Sequence, residues 1–362
     1  MLLYKRINKY ISYNFFINLI RVSLIFFILI SLVVTFDELN FLRKIENVTL
    51  ILSIKLIFFK IPGILLNFSP FIFLFAGILF HLKLKNRNEI VAIRVIGISN
   101  IKLISISAVV AFVLGYVIIF ILNPLTSAST KEYESIKSNY LSNSNTIFIN
   151  DTGLWILTND EINKKIIRIQ SLDFNKNLAK NITTLTLNKD FNLESRIESK
   201  EGVFENKTIK LLNNTIYEKK NNKKISEFQI NLNLSIAEIQ NLFKNSSSIS
   251  VYEIQNQIKN IHNLGYSVDY LKVEYQKIMA LPIYLLAMVI LSGLMIVNLG
   301  SNMSYLFYVI LGVIISVILY FLSDLSITMG KTDRINLELS VWLPIFFIML
   351  VNFIGLIQVN AK

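Results

Sequence analysis

The chain has 362 residues, 53% of them hydrophobic, a mean hydropathy of +0.55, and 36 Lys and Arg against 24 Asp and Glu. A soluble chain of net charge +12 would point to nucleic acid, but one this apolar points to a membrane with its basic loops gathered on one side, so nucleic acid is not an expected partner. The lack of cysteine excludes thiolate metal centres and disulfides, and two histidines, His81 and His262, leave little material for a histidine metal or acid–base centre.

The N-terminal tail carries Lys5, Arg6 and Lys9, and 7–20 reads as partly interfacial. A first span is expected over about 19–39, with Arg21 snorkelling to the near headgroups. It lacks a small-residue cleavage site and runs into Asp37-Glu38, so it reads as a retained span followed by a loop of mixed sign (Arg43, Lys44, Glu46). A second span covers about 61–82, where Pro62 and Pro70 predict a kink.

The next stretch, 83–102 (KLKNRNEIVAIRVIGISNIK), organises the rest. Asn86 and Glu89 have the spacing of a capping box, and Gly97 supplies the left-handed stop past a helix end. The expected helix, about 86–97, is about 15 Å long, half of what a bilayer crossing needs. Glu89, Ala92, Ile93 and Ile96 share one face of it, between the basic flanks Lys83, Lys85, Arg87 and Lys102. Either the lipid interface or another protein must cover that apolar surface.

A third span is expected over about 103–122, ending at Asn123-Pro124. From Thr126 to about Leu242, Asn, Lys, Ser and Thr dominate, and apolar residues come in short alternating runs: 146–149, 166–169, 183–187, 208–212 and 227–232. Turn-like breaks at 150–153, 188–190 and Asn213-Asn214 separate them, which predicts a β-rich domain, sandwich or jelly-roll-like. Helical segments follow at about 251–262 and 268–279, pivoting near Gly265. No charge falls between Lys277 and Asp324, room for two spans (about 278–299 and 305–322) joined at Gly300-Ser301-Asn302; a sixth covers about 341–359. The charge bias then puts both termini, the 83–102 loop and the 300–304 turn in the cytoplasm, and the β domain and the 324–340 loop outside. The expected fold is thus membrane α-helical, six transmembrane helices with an inserted extracytoplasmic all-β jelly-roll-like domain. Its parts are 1–125, 126–250 and 251–362.

Little of this carries chemistry. Gly330-Lys331-Thr332 has the end of a phosphate-binding loop, but the pattern needs glycine where Leu325 stands, so no ATP site is expected. Glu89 is open to two roles, capping partner of Asn86 or a carboxylate offered to a partner's cation. Arg21, Arg43 and Lys44 are open to interfacial anchoring or contact with lipid phosphates. His262 reads as solvated, Trp155 as packed in the β domain, and Trp342 as an interface anchor.

Three stretches, Asn88 to Ser99, Tyr320 to Leu325 and Trp342-Leu343-Pro344, set on this layout, resemble the LptF/LptG (YjgP/YjgQ) permeases of the lipopolysaccharide export ABC transporter. Asp37-Glu38-Leu39 and Gly153-Leu154-Trp155 look more like the LptG branch, although Val34, Asn40 and Phe41 stand where that branch carries a lysine and a basic pair. The resemblance implies a non-enzymatic permease of the bacterial inner membrane. Glu89, Ala92, Ile93, Ile96 and Gly97 would form its coupling helix to an LptB-like ATPase dimer, which holds the ATP and magnesium; Arg43, Lys44 and Arg21 would be lipid contacts. An LptF-like sister permease, an LptC-like bitopic protein and lipopolysaccharide are the other implied partners. Exporters of other amphiphiles such as lipoproteins, and a membrane-anchored ligand sensor, are the alternatives that the residues leave open.

Overall fold

In the computed structural model the described residues are 2–42, 50–141, 147–148, 154–159, 164–173, 177–188, 192–205, 208–218, 222–232, 248–263, 267–298 and 303–361. Arg43 and Lys44, the turns at 150–153 and 300–302, most of that at 188–190, and Gly265 lie outside them. The chain divides into two units. One comprises Met1–Tyr133, Ser246–Ile258 and Ser267–Lys362, the other Glu134–Asn245 and Lys259–Tyr266.

The first unit is helical. Helix α1 runs unbroken over Leu2–Leu42, where an interfacial segment, a span and the start of a loop are expected. Asn14 and Asn18, buried within it, donate to the carbonyls of Tyr10 and Asn14 at 3.0 and 2.7 Å, so these polar residues are satisfied inside the helix and do not interrupt it. The second span is a pair, α2 (Leu50–Asn67) and α3 (Ser69–Asn86), bent by 69°. Pro70 sits in the first turn of α3, where a missing N–H costs nothing, while Pro62 is carried inside α2. A short helix α4 (Glu89–Val95) follows.

Then α5 (Asn100–Val117) passes through a π-helical turn (Ile118–Leu122) into α6 (Asn123–Leu141). Asn123-Pro124 therefore does not end the helix: the Asn123 amide reaches the Ile118 carbonyl, and the widened turn absorbs the proline. The first turns of α7 (Val251–Asn263) with α8 (Asp269–Asn298), α9 (Tyr305–Lys331) and α10 (Leu337–Ala361) complete the unit. Among the described residues five helices are long and apolar enough to span a membrane, six spans if the bent pair counts as one.

The core sits around α8. Its most apolar stretch is 67% buried, against 22% for α1 and 17% for α9. Phe15, Phe80, Leu103 and Leu285 meet in one cluster, and Leu74, Ile78, Met288 and Tyr308 in another. Gly77 lets α3 close on α8: a Cβ there would lie 2.1 Å from the Ser292 hydroxyl.

Apart from the ends of α6 and α7, the described residues of the second unit form a single antiparallel sheet. Strands β1 (Ile147–Phe148) and β2 (Leu154–Asn159) share the outer edge of β3 (Lys164–Asp173). A meander then runs β3, β4 (Leu178–Leu187), β5 (Leu193–Glu205), β6 (Thr208–Glu218) and β7 (Asn222–Asn231). Seven strands thus occupy six positions, and the sheet is not closed into a barrel. The all-β inserted domain is as expected. Among the described strands, sequential neighbours pair from β2 to β7, in place of the crossovers of paired Greek keys. Its inner face buries Ile156, Ile167, Ile182, Ile197, Leu211 and Ile230.

Asn213-Asn214 is no turn. Both lie inside β6, on a line that crosses the sheet. Gln170, Asn181, Lys200, Asn213 and Ser226 occupy one transverse row, and the paired registers step over it on each strand from β3 to β7. Asn181 and Asn213 take left-handed backbone there, φ 52° and 56°. The buried positions change phase across it, from Ala179 to Ile182, from Ser199 to Gly202 and from Leu211 to Asn214. The left-handed residues rotate the strand so that alternation resumes on the opposite parity.

Candidate functional site

The short helix α4 and its seat gather most of the residues singled out from the sequence. Its boundaries follow from backbone chemistry. Asn86 is the last residue of α3, so the expected capping box does not form. Asn88 closes α3 instead, in left-handed conformation (φ 55°), with its amide donating to the Lys85 carbonyl at 3.0 Å. The same residue opens α4, its carbonyl accepting from Ala92 at 3.2 Å without any side-chain cap. Asparagine tolerates that conformation, which allows two helices to meet across two residues.

At the other end Gly97 does what its position predicts. Its φ is 89°; its amide donates to Arg94 at 2.9 Å and that of Ile98 to Ile93 at 3.3 Å, the two bonds of a Schellman stop. Ile93 and Ile98, the hydrophobic pair that accompanies such a stop, are both buried in the main core cluster. The helix is therefore seven residues long rather than twelve, with both ends fixed.

That packing settles which face is which. Ile93 points inward with Ile90 beside it, so it seats the helix on the bundle and is not on the outer surface. Ala92 and Ile96 are exposed, and the sequence reading missed their neighbours: Val91 is 60% and Val95 82% exposed. The wheel placed Ile93 with Ala92 and Ile96; a helix this short, capped by a Ile93–Ile98 contact, turns Ile93 the other way.

Glu89 is half-buried at the edge. One carboxylate oxygen accepts a hydrogen bond from the Tyr10 hydroxyl of α1 at 2.9 Å, and the other lies 3.7 Å from Arg87. Lys83 of α3 donates to Asn14 of α1 at 3.1 Å. Lys85 reaches the opposite way, donating to the Ile296 carbonyl of α8 at 3.2 Å and the Tyr308 hydroxyl of α9 at 3.0 Å. These lysines, legible only as basic flanks, thus pin the end of α3 to three helices. Tyr10 and Tyr308 carried no signal in the sequence, because their partners lie 79 and 223 residues away.

Of the residues expected to contact lipid, the structure describes one. Arg21 is exposed on α1, and Arg43 and Lys44 lie outside the described residues. A different polar group lies towards the C-terminal end of α1. Glu38, 1% exposed, accepts from Lys60 of α2 at 2.8 Å and from the Tyr133 hydroxyl of α6 at 2.7 Å, so Asp37-Glu38 belongs to the helix and not to a loop. Among the described residues no group of acidic, histidine or cysteine side chains has the arrangement of a metal site.

The arrangement is mechanical. A short helix offers an apolar outer stripe while hydrogen bonds tie its base to the surrounding helices. No curated protein gives a match to this sequence. Residues 10–358, nearly the whole chain, match the family described as lipopolysaccharide export system permease LptF/LptG. A match of that extent, on apolar helices with one inserted β domain, places the chain in that family.

Proposed function

We propose that this chain is one permease half of an inner-membrane ABC transporter that extracts lipopolysaccharide and passes it to a periplasmic bridge. The family is one of lipopolysaccharide export permeases; the partners and the transfer step are our reading. In it α4 docks in a groove of an LptB-like ATPase dimer, which supplies ATP and magnesium. An LptF-like sister chain forms the other half, an LptC-like protein receives the lipid, and both termini lie in the cytoplasm. The Asp37-Glu38-Leu39 and Gly153-Leu154-Trp155 stretches favour the LptG branch.

One observation carries the reading: α4 shows Val91, Ala92, Val95 and Ile96 outward while Glu89, Ile93, Lys83 and Lys85 fix its base. A helix held this way passes a push from its outer face to α1 through Tyr10, and its neighbour α3 passes it to α1 through Asn14 and to α9 through Tyr308. Those two helices are the least buried of the five long apolar helices, as expected of elements that frame a lipid path against a sister subunit. Rigid elements moved by a remote nucleotide-driven event suffice, with no chemistry in this chain.

Val95→Glu tests it. A carboxylate forced into an apolar groove is costly, so ATPase co-purification is expected to fall by about tenfold, roughly 1.4 kcal/mol. Membrane insertion should be unaffected. Full retention of the ATPase by this variant would overturn the docking assignment.

A further inference from the structure

A cavity of about 470 Å³ opens inside the helical unit at the end of α3 away from α4. Its size falls within the ~300–1,000 Å³ usual for small-ligand sites. Both backbone irregularities of the bundle line it: the elbow at Phe68 between α2 and α3, and the π-turn through Ile118 and Ile119. Two departures from regular helix therefore meet at the wall of one cavity. Its walls are mostly apolar, among them Leu66, Phe71, Leu281 and Ile345. Among the described residues three charged ones reach it, Glu274, Lys277 and Asp324. Glu274 and Lys277 lie 3.8 Å apart on adjacent turns of α8. Asp324 on α9 is exposed and makes no ion pair among the described residues.

We infer that this cavity holds an acyl chain of a zwitterionic, amine-headgroup phospholipid, with Asp324 taking the ammonium and Lys277 the phosphate. The apolar walls require a hydrocarbon occupant. The charges select its head: two carboxylates and one ammonium give the mouth a net charge of −1, which disfavours a polyanionic lipid and favours one presenting a cation. The cavity shares α9 with the proposed export path, through Tyr320, Ser323, Asp324 and Ile327, but among the described residues none of α1 lines it, so it lies on the side of α9 that faces the bundle. A bound phospholipid would fill the bundle beside α8, and its loss would leave that space to collapse or flood.

The chain holds two tryptophans, and one of them reports on this mouth. Trp342 donates to Gln276 at 3.1 Å, beside Lys277, and its neighbours Val341 and Pro344 line the cavity. The full chain with Trp155→Phe is reconstituted in phosphatidylcholine nanodiscs containing a minor fraction of phosphatidylethanolamine or phosphatidylglycerol with brominated chains. Bromine quenching of Trp342 is expected to favour phosphatidylethanolamine by about two- to fivefold, the scale of an exposed charge contact. Asp324→Asn should bring the two lipids level, and Ala280→Leu, which narrows the cavity, should lower quenching by both. Added lipopolysaccharide should leave the signal unchanged. Equal quenching by the two lipids, a preference that survives Asp324→Asn, or displacement by lipopolysaccharide overturns the proposal. None of these results bears on ATPase docking through α4, so the two proposals fail separately.

Discussion

The Tyr10–Glu89 hydrogen bond is the smallest part on which the coupling account depends, because it joins the base of α4 directly to α1. Glu89→Gln keeps an acceptor for the tyrosine hydroxyl and is expected to cost less than ~1 kcal/mol. Glu89→Lys removes that acceptor and sets a second cation beside Arg87, so lipid-dependent ATP hydrolysis should fall by an amount equivalent to about 1–3 kcal/mol. A Glu89→Lys chain that hydrolyses ATP normally with lipid would show that the contact transmits nothing. Tyr10→Phe should reproduce most of the loss, and the double variant should be no worse than the worse single one, as expected of residues acting through one contact. Gly97 was legible in the sequence because a helix stop needs left-handed backbone and glycine adopts it freely. The Asn86–Glu89 box was misleading because a neighbouring asparagine, Asn88, took the left-handed position and moved the helix start by two residues. Nothing local distinguishes Asn86 from Asn88.

Among the elements, the sheet shows most clearly what a periodic pattern reveals and hides. The runs at 166–169, 183–187 and 208–212 lie inside β3, β4 and β6, since their alternation survives in the buried rows. The longest strand, β5, was not legible. Its sequence LESRIESKEGVFE carries charges on the outer face and breaks phase between Ser199 and Gly202. Asn213, taken for a turn residue, is at the same break in β6. Asn213→Gly should therefore be tolerated, whereas Asn213→Val should destabilise the sheet by about 1–2 kcal/mol, the cost of left-handed backbone in a β-branched residue. Protease sensitivity of the β domain in the intact chain checks this; equal resistance of the two variants would contradict the conformational reading. The helical spans were far easier to locate, because apolar length is a strong signal. The π-turn before Pro124 was invisible because its cause, a shift of hydrogen bonds by one residue, changes no composition.

For the whole molecule, the basic loop between α3 and α5 and the turn between α8 and α9 are expected on the same side of the membrane. The bonds from Lys85 to Ile296 and Tyr308 do bring the end of α3 to the end of α8 and the start of α9. The sequence contains no cysteine, so single cysteines can be read without background. Ser99→Cys should be shielded from impermeant maleimides in intact cells and Asn213→Cys should react; labelling of Ser99→Cys from outside would reverse the proposed orientation. The central claim is that α4 meets an ATPase with its outer stripe while its inner side belongs to the bundle. It is tested most directly by placing a maleimide–benzophenone probe on Val95→Cys in inside-out inner-membrane vesicles, with Ile93→Cys as the control. The account predicts an ATP-sensitive adduct to the ATPase from position 95, which is 82% exposed, and almost none from buried position 93. An adduct from Ile93→Cys with none from Val95→Cys, or no ATPase adduct from either, would contradict it.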